Sequence, residues 1–376
     1  MNKFWLEKTA YIFAFLLLAT AAFGFDAEDL DVQVRANVSE TYDDNITFAH
    51  QDAKKDFITS FSLGTDLKYE QKMRSLSLAA NIFQQLFADC SDFNNTSQDL
   101  SLDYKQELSK YARLSLLNRF SHSYEPRSFE DAFGRSGGRY SYYRNRFSLG
   151  YIKDISKQLS VGARYANELN EISREDLADS YLNNFGLDAT YFLSSNNILS
   201  GSYDFSNRNF NPGSSASTNS LATGLRHYFT EQLYFDGRAG LDIINSFFEK
   251  SYTKPLIFAA LTSDIDETAQ ASLSFSQQYT TTSYTQDLFK QWRLSAALNK
   301  QLFKRLNCAL SAFYGEGEYV SSSITDELNG ASCSLRYDLN EQLTGTLSYS
   351  YTSVDSNLNT REYSKNRISL RLSYDF

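Results

Sequence analysis

Ile368-Ser369-Leu370-Arg371-Leu372-Ser373-Tyr374-Asp375-Phe376 alternates between apolar and polar residues and finishes on an aromatic ring. Successive side chains of a strand point to opposite faces. Ile368, Leu370, Leu372, Tyr374 and Phe376 therefore share one face, and Ser369, Arg371, Ser373 and Asp375 share the other. One face suits hydrocarbon and the other suits water. A strand of a soluble sandwich can carry the same pattern, so the decision rests on what the rest of the chain does with it.

The same unit recurs along the chain: a short polar turn, an alternating strand, a longer polar loop and an alternating strand back. Ser156-Lys157-Gln158-Leu159-Ser160-Val161-Gly162-Ala163-Arg164-Tyr165 parallels Asn340-Glu341-Gln342-Leu343-Thr344-Gly345-Thr346-Leu347-Ser348-Tyr349, and similar starts occur at Ser109, Thr230 and Phe303. Apolar stripes at period two include Phe57, Phe61, Leu63, Leu67 and Tyr69, then Phe185, Leu187, Ala189 and Tyr191, then Leu310, Ala312 and Tyr314. Tyr69, Tyr104, Tyr151, Tyr191 and Tyr337 fall near the tight turns, whereas Tyr165, Tyr203, Tyr279, Tyr314 and Tyr349 fall near the longer loops. Two aromatic girdles with an aliphatic band between them are what two membrane interfaces require, and a soluble sandwich has no reason to sort its rings that way. The pattern predicts an all-β protein, a transmembrane antiparallel up-and-down β-barrel of about 18 strands, with 16–20 tolerated. Alternation blurs in 28–42, 78–88 and 253–265, where Pro255 interrupts.

Composition agrees. The 376 residues include 26 Tyr and 29 Phe but three Pro, which favours strands over disorder. Mean hydropathy is −0.44. If the chain lives in a membrane it must be a closed barrel, because only helices and closed barrels satisfy every backbone group in lipid. At the amino end, Lys3 and Lys8 flank a basic start, Tyr11 to Phe23 is an apolar run, and Ala22-Phe23-Gly24 offers small residues where a signal peptidase cuts. Residues 1–24 are expected to be a signal peptide and 25–376 the outer-membrane β-barrel domain, in the outer membrane of a Gram-negative bacterium. The net charge of −9 and the lack of a basic tract argue against nucleic acid as a partner.

The terminal strand resembles the carboxyl-terminal signature of bacterial outer-membrane proteins. That resemblance implies Tyr374 and Phe376 as an assembly signal read by the barrel-assembly machinery, with outer-membrane lipid as the other partner. Thr41 to Tyr69, Gln98-Asp99-Leu100-Ser101-Leu102-Asp103-Tyr104 and Leu114-Ser115-Leu116 resemble the opening hairpins of the Putative beta-barrel porin 2 group, and the likeness extends over essentially the whole chain after residue 24. Members are outer-membrane barrels of largely unassigned role, some encoded with exopolysaccharide production systems. The resemblance implies envelope or polysaccharide export proteins as partners. No functional residue of the group can be carried over to a position here.

The polar face is the place left for a solute to act. Parity puts Arg113, Arg119, Arg144, Arg146, Arg164, Arg226, Arg238, Arg293, Arg336, Arg367 and Arg371 on it, interleaved with acids that include Asp66, Asp103, Asp188 and Asp236. A guanidinium fork binds carboxylate or phosphate bidentately, so an Arg-rich wall could guide acidic sugars and favour anions; a polar interior whose charges pair with each other reads equally well. Catalysis fails on inventory. His50, His122 and His227 are isolated, His227 falls on the outward register, and only His122 has serines beside it, Ser121 and Ser123. Cys90, Cys308 and Cys333 have no zinc spacing, though Cys308 and Cys333 share outward parity on neighbouring strands, so a bridge between them stays open. Glu168, Glu171, Glu175, Asp176 and Asp179 read as an acidic loop, and the longest loops fall near 43–55, 121–139, 168–180 and 206–218. No cofactor and no metal is expected. Two functions fit: a pore for polar or acidic solutes, in its sharper form exopolysaccharide export, or a non-conducting scaffold or adhesion barrel acting through its extracellular loops.

Overall fold

A computed structural model describes residues 30–124, 139–175, 177–211, 213–245, 251–281, 288–320 and 322–376. The expected signal peptide lies outside the described residues. Among them are eighteen strands in chain order: β1 Leu30–Asp43, β2 Asp56–Gln71, β3 Arg74–Phe87, β4 Asn95–Ser109, β5 Ala112–Ser123, β6 Tyr142–Asp154, β7 Leu159–Ile172, β8 Asp179–Phe192, β9 Asn197–Asn211, β10 Ser214–Tyr228, β11 Leu233–Asn245, β12 Ser251–Asp266, β13 Ala269–Thr281, β14 Leu288–Phe303, β15 Leu306–Tyr319, β16 Thr325–Asp338, β17 Leu343–Ser356 and β18 Tyr363–Asp375. Each pairs antiparallel with the next, and β1 pairs with β18, so the sheet closes into an up-and-down barrel. No described helix is long and apolar enough to cross a membrane. The strands do the crossing.

The seam is formed by the alternating stretch Ile368 to Phe376 and the residues just before it. Arg35 stands opposite Asp375, and the register runs without a slip to Asp43 opposite Arg367. The Phe376 amide adds one more bond, donating to the Val34 carbonyl at 2.9 Å. At the same end lie the tight turns, whose chemistry explains the repeat. Ser156, Thr230 and Asn340 each accept backbone N–H bonds from residues two and three further on, at 3.1 and 3.0 Å, 3.2 and 3.0 Å, and 2.9 and 2.7 Å. A short polar side chain that bonds its own backbone in this way fixes a turn locally. The Gln that follows in each repeat offers its carbonyl to the neighbouring hairpin: Phe192, Asp264 and Asp375 donate to Gln158, Gln232 and Gln342.

Residues opposite each other on paired strands face the same way, so register assigns the faces. Leu370, Leu372, Phe61 and Leu63 are exposed on one side, and ion pairs and an internal cavity occupy the other. Every apolar stripe named from the sequence falls on the outer face. Higher on the wall that face changes character. On β15 it runs Leu306, Cys308, Leu310, Ala312 and Tyr314 and then turns to Glu316 and Glu318; on β16 it runs Tyr337, Leu335, Cys333 and Ala331 to Asn329 and Glu327. At this height the outer girdle is tied to the polar collar above it: the hydroxyls of Tyr165, Tyr203 and Tyr349 donate to Asn183, Asn219 and Asn366 at 2.8, 2.7 and 2.8 Å. The strands therefore extend past the lipid into water.

Several sequence expectations change here. Residues 206–218 are strand on both sides of 212–213, and 168–180 is mostly strand, because both faces meet water above the collar and the alternation that marks a strand fades there. Residues 125–138, most of the expected loop at 121–139, lie outside the described residues. The blurred segments 28–42, 78–88 and 253–265 lie within β1, β3 and β12 apart from residues 28, 29 and 88. Pro255 is tolerated because the β12–β13 ladder runs only from Ile257 down, leaving that edge unpaired beside it.

The face assignment can be tested directly. Arg placed at Leu102 or Phe275, on the outer face, should cost about 2–4 kcal/mol in reversible folding into lipid, whereas Arg at Ser101 or Ser274, one residue away and facing in, should be nearly silent. Equal costs at both parities would refute it.

Candidate functional site: the lumen wall and its mouth

All eleven arginines expected on the polar face lie on the inward register, as do Asp66, Asp103, Asp188 and Asp236. They are not brought together in one cluster. Most are held by carboxylates across or along the wall. Arg113 meets Asp154 at 3.0 Å, Arg226 meets Asp236 at 2.7 Å, and Arg336 meets Asp338 at 3.2 Å. Asp66 stands 3.9 Å from Arg35, which also holds Asp375 at 2.5 Å, and Asp103 pairs with Lys105 at 3.7 Å.

A ladder of such pairs climbs the wall from β6 to β11. Arg164 bridges Asp188 at 3.3 Å and Asp204 at 2.9 Å, and Arg238 reaches Asp204 at 3.8 Å. Glycines make room for it: a side chain at Gly186 would begin 2.6 Å from the Asp204 carboxylate and 2.8 Å from the Arg164 guanidinium. Above them Arg144, Arg146 and Arg208 converge on Glu168 at 3.2, 2.5 and 3.7 Å. Glu168 is thus a buried acid of the inner wall, not a loop residue, and three guanidinium groups compensate its desolvation. Arg208 was missed in the sequence because Ser206 to Asn211 read as loop.

The opposite sector is built differently. On β17, β18, β1 and β2 the inward residues include Ser348, Ser350, Ser369, Ser39, Thr41, Ser60 and Ser62, and they line a cavity of about 510 Å³ with Arg367 and Arg371. The hydroxyls bond across strands, Thr41 to Ser369 and Asn37 to Ser62, both at 2.9 Å. Arg367 leans toward Asp43 at 3.6 Å. Arg293 donates to Ser295 at 3.1 Å and covers the Phe313 ring. Among the described residues, no carboxylate forms an ion pair with Arg119 or Arg371.

At the loop end the segment joining β1 to β2 folds inward. Ile46 packs on Ile58 and Phe87 of one wall, and Phe48 packs on Phe313, Leu328, Val354 and Tyr363 of the other. Phe48 and Asp52 take φ of 54° and 55°, the left-handed backbone that lets so short a loop turn back on itself. The strap is clamped from the seam. Asp43, with no exposure, meets Lys365 at 2.9 Å, and the Lys365 ammonium sits 3.7 Å above the Phe48 ring. Asn45 donates to the Ala49 and Ser364 carbonyls at 2.8 and 2.9 Å. Beside it the buried pair Arg361–Asp326 ties the β17–β18 loop to β16, with Ser356 donating to the same carboxylate at 2.6 Å. The signal in the sequence was two apolar residues, Ile46 and Phe48, inside an otherwise polar loop.

The histidine and cysteine questions have geometric answers. His122 lies on the outward register, stacked on Tyr143 with centroids 4.3 Å apart, whereas Ser121 and Ser123 face in. His227 also faces out and bonds Asn197 at 2.9 Å. Cys308 stands opposite Leu335 and Cys333 opposite Leu310, diagonal neighbours on the outer face, and both are free thiols. At the loop end, burial first and then the Asp56 carboxylate push the Cys90 thiol up, which keeps it protonated.

A closed antiparallel barrel with aromatic girdles, short turns at one end and a polar lumen narrowed by an inward loop is a porin-like barrel of the outer-membrane type. Residues 268–376, essentially β13 to β18, match the model of the Putative beta-barrel porin 2 family, the group expected from the sequence, and the match does not reach the opening hairpins. No curated protein sequence matches the chain. Among solved structures, it resembles Pseudomonas aeruginosa OpdK with vanillate, at TM-score 0.52 and 10% identity over 92% of this chain and 98% of that one. It also resembles OccK2 (OpdF) of P. aeruginosa, at TM-score 0.52 and 12% identity over 93% and 98%. A third is the R480A mutant of the P. aeruginosa ferric enterobactin receptor PfeA in complex with enterobactin, at TM-score 0.53 and 8% identity over 91% and 81%. At such identities the likeness is one of fold.

The clamp at the mouth makes a stability prediction. Asp326→Ala leaves the Arg361 guanidinium buried without its carboxylate and should cost about 3–5 kcal/mol, whereas the double variant Asp326→Ala/Arg361→Met should recover most of it. Thermal unfolding of the purified barrel reads both. Equal loss in the single and double variants would refute the pair as the reason.

Proposed function

We propose that the chain forms a passive, water-filled pore through the outer membrane for polar solutes, acidic saccharides included, and that exopolysaccharide export is its sharper form. The observation that carries this reading is the open lumen sector lined by hydroxyls, facing a wall whose charges are mostly paired. Eighteen strands leave an aqueous channel unless something fills it. The inward strap between β1 and β2 narrows the mouth. A channel rather than an enzyme is also what the barrel fold and the family match favour. In this reading residues 1–24 direct export of the chain, and the terminal strand with Tyr374 and Phe376 is what the assembly machinery recognises by backbone pairing.

The paired ladder bears on selectivity. Because carboxylates hold most of the inward arginines, the pore should discriminate weakly between small anions and cations. Purified protein in a planar bilayer should give discrete open steps, and the variant Ile46→Ala/Phe48→Ala, which frees the strap from both walls, should raise their size. A silent bilayer after verified insertion would overturn the pore and leave a scaffold acting through its loops.

Assembly is tested apart from conduction. Phe376→Asp removes the outward ring packed 4.8 Å from Tyr374 and should leave protein in the periplasm, read as lost heat-modifiable migration. Normal outer-membrane levels would refute the signal.

A further inference from the structure

We infer that the hydroxyl-lined cavity at the barrel seam is a binding subsite for a carboxylated oligosaccharide, with Arg371 as the group that takes the carboxylate; this rests on the pore reading above and names the solute class for it. Arg371 is singled out by its surroundings. It points into the cavity from β18, opposite Ser39 and Thr346. Of the acids on that side, Asp375 and Asp66 are held by Arg35 below and Asp43 by Lys365 and Arg367 above, and Asp99, which lines the cavity from β4, forms no ion pair with Arg371. A guanidinium left exposed to the lumen with no carboxylate of its own keeps its bidentate fork for a ligand.

What surrounds it selects the rest of the molecule. Ser39, Ser60, Ser62, Ser348 and Ser369 line the same cavity, and each hydroxyl both donates and accepts, as sugar hydroxyls do. Phe83, half-buried on β3, adds a small apolar patch suited to the C–H face of a pyranose ring. A volume of about 510 Å³ exceeds a single small anion and suits two or three sugar units. Arg119, which also forms no ion pair among the described residues, is not among the residues lining this cavity.

The test uses the full barrel in detergent micelles and isothermal calorimetry, so it does not depend on conduction. The probes are tri-galacturonate, its fully methyl-esterified form, which keeps the hydroxyls but loses the charge, and acetate, which keeps only the carboxylate. Tri-galacturonate should bind at least about tenfold tighter than either, as a charge-assisted pair added to hydroxyl contacts requires. Arg371→Gln should abolish that advantage over the ester, whereas Arg336→Gln, whose guanidinium belongs to Asp338, should leave it intact. The advantage should shrink between 0.1 and 1 M salt, over roughly the range where the screening length falls from about 10 to about 3 Å. Equal binding of acid and ester, or an advantage that survives Arg371→Gln, overturns the site even if the barrel conducts. A barrel that binds as stated yet stays silent in a bilayer overturns the pore and leaves the site standing.

Discussion

The structure depends on closure of the backbone hydrogen-bond ladder between β1 and β18. In hydrocarbon no water is available to an unpaired N–H or C=O, and each such group costs several kcal/mol, so an open edge through the membrane is untenable. The chain solves this with the residues at its carboxyl end, from Arg367 opposite Asp43 down to Asp375 opposite Arg35. Once those pairs form, the parity of every other strand is fixed, because each of them stands in register with a neighbour. A slip of one residue would carry the apolar set into the lumen and the arginines into lipid.

That coupling is why so much of the fold could be read from the sequence. The period of two survives wherever one face meets lipid and the other meets water, and the tyrosine girdles mark where the lipid stops. Above the girdle both faces of the wall are wet. In Ala166-Asn167-Glu168-Leu169-Asn170-Glu171 and in Ser206-Asn207-Arg208-Asn209-Phe210-Asn211 polar residues then occupy both parities, and a strand becomes indistinguishable from a loop by composition. Glu168 and Arg208 were lost to the reading for that reason. The turns were legible because their Ser, Thr or Asn bonds only its own backbone.

Pairing was the part of the lumen that the sequence left open. Parity places a charge on the inner face but does not say which neighbour it meets, since that depends on the stagger between strands. The stagger puts Asp154 beside Arg113 and sets Arg164 between Asp188 and Asp204. A wall of alternating sign projects little net field into the lumen. Its effect is to hold ordered side chains against β6 to β11, so that the free width of the lumen lies toward the seam.

The strap belongs to the same logic. A loop of polar composition would drift into solvent, but Ile46 and Phe48 give this one two apolar anchors, and at that height the inner wall supplies buried apolar partners, Ile58 and Phe87 on one side and Phe313, Leu328 and Val354 on the other. The docking site then needs cover for Asp43, which the seam provides through Lys365 and Arg367 from β18. The strand that closes the barrel is therefore also the strand that holds the mouth and that carries Arg371. Constriction, closure and a seam cation that forms no ion pair among the described residues follow from a single alternating segment whose inward residues include Lys365, Arg367, Ser369, Arg371 and Ser373.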